Sequence, residues 1–333
     1  MLKTLWIIST AIVLLLVTTF YHFTQQPFSP NEQKVITLGE PVSVHNWLVS
    51  SDMSKTQKTI FKTLAWFRRT KRFRPGRYVI DTHESLWSVF SRLRSASQDP
   101  IVIKLDPIST LEEMCGILGN HLWHDSTSFI NYLSSDSCLI ETKTNIACIP
   151  CHIIPDTYEF YWTITPKEFF RKVKQRRESY WSNDQLLKAA QTKLTKEEIC
   201  ILASIVKAET ASLDEAKKVA GLYMNRLRMK MPLQSDPTAL FRNGKKNQRR
   251  VWQSDTQHES IYNTYKIIGL PPGPICFIEN NYLDAVINFE NHNNLYMCAQ
   301  PGGNGKHSFT NSYEAHLKNA KDYQEWCRKN GIR

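Results

Sequence analysis

The run from Leu5 to Phe23 constrains this chain before any motif is read. It carries no Asp, Glu, Lys or Arg and is apolar apart from small hydroxyl residues and its aromatic end, Phe20-Tyr21-His22-Phe23. About 20 such residues cross the hydrocarbon core of a bilayer as a helix. Lys3 and the amino terminus precede the run, so the positive-inside rule puts the short N-terminus in the cytoplasm and the rest of the chain outside. A cleaved signal peptide is the rival reading, but its apolar core is usually shorter and ends in a small-x-small site, and none is evident here. The expectation is an uncleaved anchor: residues 1–26 as a cytoplasmic stub and span, with 5–23 in the membrane. Thr24 to Glu32 is polar, contains Pro27 and Pro30, and reads as a linker. A lipoprotein is disfavoured, because no cysteine occurs before Cys115.

The formal net charge is +11. A basic surface suits anionic lipid and wall polymer as well as nucleic acid. The densest basic run, Arg242 to Arg250, has no aromatic residues among its charges, whereas single-strand binders interleave the two. Nucleic acid is therefore not expected as a partner. Eight cysteines are present. Cys148-Ile-Pro-Cys151 has no second Cys-x-x-Cys to complete a zinc ribbon, and Pro150 and Pro155 favour a loop over a thioredoxin-like strand and helix. A disulfide, local or longer, and free buried thiols both stay open. No metal cluster, phosphate-cradling loop or Ser-His-Asp order appears, and no cofactor is expected.

With 333 residues the chain has ample length for a core of one large or two smaller domains. Strand-like Lys34–Ser43, Arg77–Asp81 and Ile101–Leu105 each run into a capped helical pattern. Short strands feeding capped helices make the expected class α+β. Trp66, Trp87 and Trp123 read as core rather than as sugar platforms. Thr165-Pro166 opens a helix over about 166–181 with proline at its first position, whose Arg171, Lys172, Lys174, Arg176 and Arg177 read as a solvated face. Ser312 to Arg328 reads as an amphipathic closing helix.

One carboxylate is out of place. Thr195-Lys196-Glu197-Glu198 is a capping box, and Ile199, Leu202, Ile205 and Val206 mark a buried stripe on the helix that follows. At about 100° per residue, Glu209 projects onto the centre of that stripe. A lone buried acid must be paired, hydrogen-bonded or kept protonated, and a carboxylic acid protonated near neutral pH is what a general acid requires. A structural acid bonded to backbone or to an arginine is the competing reading. Ser212-Leu213-Asp214-Glu215 reads as a second capping box, ahead of a helix keeping Ala216, Val219, Ala220, Tyr223 and Leu227 in period. Ser235-Asp236-Pro237 after it is turn chemistry.

These residues carry a resemblance. Leu202-Ala-Ser-Ile-Val-Lys-Ala-Glu-Thr210, Val219-Ala-Gly-Leu-Tyr-Met-Asn-Arg-Leu227, Leu233-Gln-Ser-Asp-Pro-Thr238, Tyr262-Asn-Thr-Tyr265, Gly269-Leu-Pro-Pro-Gly-Pro-Ile275 and His307-Ser-Phe-Thr310 resemble, in the same order, the motifs of the MltG (YceG-like) endolytic murein transglycosylases. The likeness is close over roughly 150–325 and loose before that. Lys207 departs from the acid usual there. The resemblance implies a catalytic domain over 151–333, entered at Pro155-Asp-Thr-Tyr158, and a LysM-like, glycan-gripping α+β region over 27–150. It makes Glu209 the catalytic acid, peptidoglycan strands the substrate, and peptidoglycan synthases the neighbours at the membrane.

By the same resemblance, Asn225, Arg226, Gln234, Asp236, Tyr262, Asn263, His307 and Thr310 are candidates to bind substrate. Each has a plainer reading. Asp236 suits turn formation as well as the second carboxylate of a hydrolase. Arg226 suits an ordinary ion pair, and His307 a satisfied structural histidine. A muramidase-type hydrolase and a non-enzymatic wall-binding protein are the rival functions.

Overall fold

The computed structural model describes residues 2–29, 31–106, 108–241, 252–303 and 305–332. The basic run at 242–250 lies outside them. Helix α1 (Leu2–Thr24) contains the one span, among the described residues, long and apolar enough to cross a bilayer: Trp6–Thr24, with mean hydropathy 1.8. The hydroxyls of Thr10 and Thr18 donate to carbonyls one turn back, so these two are satisfied within the helix.

The linker expected at Thr24–Glu32 is instead tied down. Phe28 N donates to Glu84 O at 2.8 Å and Leu86 N to Gln26 O at 3.0 Å. Pro27 forms a bridge with Ser85, and Thr24 and Ser29 are buried. Proline is compatible with such an edge pairing because the lone bridge needs no donor from it.

The chain divides into two compact units: residues 1–103, 118–125 and 158–165 in one, and 104–117, 126–157 and 166–333 in the other. In the first unit, β1 (Lys34–Leu38) and β2 (Val42–Ser43) lead into α2 (Val44–Ser50), capped by Ser43. Then come α3 (Lys55–Phe67), β3 (Arg72–Phe73), β4 (Gly76–Ile80) and α4 (Leu86–Ser95), the last capped by Ser85. β1 and β4 pair antiparallel from Lys34↔Ile80 to Leu38↔Gly76, and β2 pairs with β3. Trp47, Phe61, Phe73 and Phe90 meet at 5.1–6.2 Å to form the core, edge-on except for Trp47 and Phe61, which stack, the two arrangements aromatic quadrupoles favour. Trp87 packs at its margin. Trp66 does not join it: α3 points Ile60, Phe61, Leu64 and Ala65 inward, and Trp66, one residue further round, is 81% exposed.

β5 (Pro100–Lys104) follows, so all three expected strand–cap–helix transitions are present. Next come α5 (Leu111–His121), α6 (Ser126–Leu133), α7 (Asp136–Thr142) and a 3₁₀ segment, Ile146–His152. The Cys-x-x-Cys lies in that segment. All eight cysteines are free thiols, and Cys148, Cys151 and Cys200 share the second unit's core. β6 (Thr157–Tyr161) pairs with β5. α8 (Pro166–Glu178) begins at its proline as expected. Its basic run is not all solvated: Arg177 is buried and donates to Ile153 O, Ile278 O and Asn280 Oδ1 at 2.6–2.9 Å.

α9 (Asn183–Thr192), α10 (Lys196–Glu209) and α11 (Leu213–Arg228) come next. They are followed by α12 (Asp236–Phe241), α13 (Gln253–Gln257) and α14 (Asn280–Ile287). α10 has its capping box, with both Thr195–Glu198 bonds made. The expected Ser212–Glu215 box does not form, since Ser212 makes no side-chain cap bond and Glu215 is engaged elsewhere. Ile199, Leu202, Ile205 and Val206 are all buried, facing the Val219, Ala220 and Tyr223 side of α11 in one core with α14. β7 (Tyr296–Ala299) and β8 (His307–Thr310) form an antiparallel hairpin, and α15 (Tyr313–Lys329), capped by Ser312, ends the described chain.

The segment entering β7 passes directly over α11. Glu290 N donates to Lys217 O, and a Cβ on Gly221 would stand 2.2 Å from Glu290 O. Alanine in place of glycine inside a helix ordinarily gains about 1 kcal/mol. Here Gly221→Ala is expected to lose about 1–3 kcal/mol through overpacking, read as an earlier urea midpoint. A gain would mean that the crossing segment is free to move away.

Candidate active site

The last turn of α10 delivers Glu209 to an open groove of about 440 Å³ in the second unit, a size typical of ligand sites. α11 runs back beside α10, so Tyr223 reaches the same carboxyl and its hydroxyl donates to Glu209 Oε1 at 2.8 Å. Ser235 Oγ donates to the same oxygen. The rim of the carboxyl opens to the groove while the atoms around it displace water. That burial raises its pKa above the ordinary glutamate range; Asp236 adds to the rise, and the Ser235 and Tyr223 bonds and His307 oppose it. Burial also pushes the Tyr223 phenol far above its usual value, with the Glu209 charge as the next cause.

Ser235 is aimed by the segment at 262–265. Gln234 N donates to Thr264 O at 3.0 Å and Ser235 N to Thr264 Oγ1 at 2.9 Å, while Thr238 Oγ1 lies 2.7 Å from Thr264 Oγ1. Gln234 takes a left-handed φ of +52°. That conformation costs free energy in a non-glycine residue and persists where its surroundings fix it. Tyr265 OH donates to Asp236 Oδ1 on the groove wall.

Arg226 lines the groove, but its guanidinium is a clamp. It donates to Leu295 O at 2.7 Å and to Pro232 O, Leu233 O and Gln234 Oε1 at 3.0 Å, and it lies over the Tyr296 ring at 5.4 Å. One side chain thereby fixes both the loop that carries Ser235 and the strand that carries Tyr296, and no carboxylate pairs with it among the described residues. His307, from β8, also lines the groove. Its N and Nδ1 reach Glu215 at 2.7 and 2.9 Å, and Thr210 Oγ1 donates to the same carboxylate at 3.1 Å. Burial alone would raise the Glu215 pKa; the bonds from His307 outweigh it and hold the group below its usual value.

Glu209, Arg226, Gln234, Asp236 and His307 are thus brought together. Asn225, Tyr262, Asn263 and Thr310 lie outside the groove lining. Asn225 Nδ2 donates to His292 O and Asn294 O, and Asn263 Nδ2 to Thr256 O and His258 O. Tyr262 packs on Phe241 in the core, and Thr310 Oγ1 accepts from Ser312 N. All four serve as braces for the turns around the site. Tyr223, Ser235, Glu215, Tyr265 and Tyr296 join the site without a signal in the sequence that marks them for it. Tyr223 keeps helical period and so reads as one more core residue, and Ser235 stands in a turn beside the more conspicuous Asp236. Lys207, the departure from the family pattern, turns away to Glu279 Oε1 and Phe277 O at 2.8 and 3.0 Å.

Hydrogen bonds to the carboxylate favour its charged form. Ser235→Ala and Tyr223→Phe are each expected to move the Glu209 titration further upward, followed by carbon NMR of the labelled carboxyl. A downward move would show that neither hydroxyl bonds the ionised group.

The YceG-like family profile matches residues 39–322. The endolytic murein transglycosylase of Bacillus subtilis is 26% identical over 306 residues, covering 86% of this chain and 83% of that protein. That of Streptococcus pneumoniae is 35% identical over 134 residues, 39% of this chain and 24% of the relative. A crystal structure of a yceG-like protein from Listeria monocytogenes superposes with a TM-score of 0.55 at 18% identity, covering 86% of this chain and 99% of that one. The fold is therefore the mixed α+β arrangement of that structure, and the chain belongs to the YceG-like family.

Proposed function

We propose that this protein is an endolytic lytic transglycosylase that cleaves the bond between N-acetylmuramic acid and N-acetylglucosamine in peptidoglycan strands. The observation that carries the reading is Glu209: a carboxyl with a raised pKa, at the floor of an open groove, steadied by two hydroxyls. The names of the relatives support the same class of reaction.

In this mechanism protonated Glu209 gives its proton to the glycosidic oxygen as the muramic acid C1–O bond breaks. The carboxylate left behind then takes the proton from that sugar's own 6-hydroxyl, whose oxygen closes onto C1 to form the 1,6-anhydro ring. The proton returns to Glu209 and no water is consumed. One group acting as acid and then base requires a pKa above the ordinary carboxylate range; burial moves Glu209 in that direction and the bonds from Ser235 and Tyr223 oppose it.

The domain assignment follows from the same reading: residues 1–26 as stub and anchor, 27–150 as a LysM-like region gripping glycan, and 151–333 as the catalytic domain. With 5–23 in the cell membrane, the enzyme works on the extracytoplasmic face, terminating nascent strands beside peptidoglycan synthases. Asp236 on the groove wall favours one second reading, a hydrolase that uses two carboxylates.

Product mass separates the two. Anhydro-ended internal fragments from purified strands support the transglycosylase, and products heavier by one water support the hydrolase. Glu209→Gln is expected to lower the rate by at least about 10²–10⁴-fold, and no loss would remove Glu209 from the chemistry.

Stability gives an independent check. The folded state holds the Glu209 proton more tightly than the unfolded chain, whose glutamate titrates at about 4.3. That contribution is complete below the unfolded value and is lost as pH rises through the folded one. Glu209→Gln should therefore melt at or above wild type at neutral pH, and its advantage should shrink in acid. Cleavage by the native enzyme should fall on the alkaline side as the acid is lost. A mutant that falls further below wild type at neutral pH than in acid would contradict a buried, proton-holding Glu209.

A further inference from the structure

The first unit presents an amphipathic face beside α1. Phe20 and Phe23, in the last turns of α1, border one shallow groove of about 310 Å³ with Thr56, Thr59, Ile60 and Thr63 of α3. Phe28, just past α1, accepts a hydrogen bond from Gln57 Nε2 in the first turn of α3. α3 thus starts near the end of α1 and lies beside its last turns. Its far end carries Trp66 and Phe67, 81% and 69% exposed. Burying such rings gives the largest apolar return of any side chains, yet nothing in the unit covers them.

The charge around this end has one sign. From Lys55 to Arg74 the chain carries Lys and Arg and no Asp or Glu. At about 100° per residue, Lys55, Lys58 and Lys62 form a stripe along α3 next to the Thr59–Trp66 stripe, and Arg69 and Lys71 line the same recess as Trp66 and Phe67. Tryptophan at the level of the headgroups with lysine and arginine beside it is the composition of a membrane-interface surface. The attachment is also short. The hydrogen bonds of Gln26 and Phe28 to the 84–86 segment leave no free tether between α1 and the unit.

We propose that α3 is an interfacial helix: Trp66 and Phe67 insert among the headgroups of the bilayer that α1 crosses, with Lys55, Lys58 and Lys62 against anionic lipid. The unit is then held at a fixed height and orientation on the membrane instead of swinging on a linker. This rests on the anchor reading of α1 and is independent of the chemistry at Glu209.

The test uses the full chain, labelled with 5-fluorotryptophan and reconstituted in vesicles of phosphatidylcholine and phosphatidylglycerol. Trp66→Phe and Trp6→Phe assign the two fluorine signals that matter. Trp66 is expected to broaden with lipid carrying a nitroxide near the headgroup and to be shielded from a water-soluble gadolinium chelate, and Trp6 to broaden with a nitroxide in the acyl chain. Lys55→Glu/Lys62→Glu, both at exposed positions, should reduce the shielding of Trp66 on these vesicles and not on phosphatidylcholine alone. If Trp6 broadens while Trp66 answers only to the aqueous chelate, the anchor stands and the docking proposal is overturned. A Trp66 signal moved by peptide-free glycan strands and not by lipid overturns it in favour of a saccharide platform. If Trp6 itself fails to broaden, the anchor reading falls and takes this proposal with it.

Discussion

A carboxyl buried against apolar side chains must keep its proton or find donors, because water is no longer there to solvate its charge. Glu209 sets that demand at the end of α10, and the groove-facing part of the second unit answers it. Tyr223 comes from the neighbouring helix and Ser235 from a loop stitched to Thr264. Neither is an opposite charge. Two neutral hydroxyls temper the cost of ionisation without abolishing it, so the raised pKa survives. An arginine at the same place would have pinned the group as a permanent carboxylate and removed its use as an acid.

The arginine that is present does a different job. Arg226 spends its donors on backbone carbonyls of the 232–233 loop and of Leu295, and on the Gln234 side chain. Such bonds to a charged donor are stronger than neutral ones, and here they tie the loop bearing Ser235 to the hairpin that forms the opposite wall. His307 and Glu215 join the start of α11 to β8 in the same manner. The groove is built from segments distant in sequence, and these polar clamps join them.

Much of this was readable from residue order. The α10 stripe, its capping box, the lone acid within it, the apolar N-terminal helix and the closing helix after Ser312 all follow from local periodicity and cap chemistry, which depend on neighbours within a turn or two. The site was half legible. Glu209, Arg226, Gln234, Asp236 and His307 line one groove, whereas Asn225, Tyr262, Asn263 and Thr310 brace the turns around it. A motif records that a residue type is required and does not say whether it faces a ligand or a backbone carbonyl. The linker reading of 24–32 failed for a related reason: its proline and polar composition is equally that of an edge segment pinned by a few backbone bonds.

The sequence by itself determined helices α1, α8, α10, α11 and α15, the apolar stripes of α10 and α11, and that one acid stands on such a stripe. These are consequences of a repeat of 3.6 residues per turn and of burial acting along a single element. Only the tertiary structure decided that Tyr223 is a hydrogen-bond donor to Glu209 and no mere core residue, that Ser235 and not Asp236 touches the carboxyl, that Arg177 is buried, and that Trp66 is left outside. Each depends on which surface of another element arrives opposite. That is fixed by packing between residues tens of positions apart, and no periodicity within one segment encodes it.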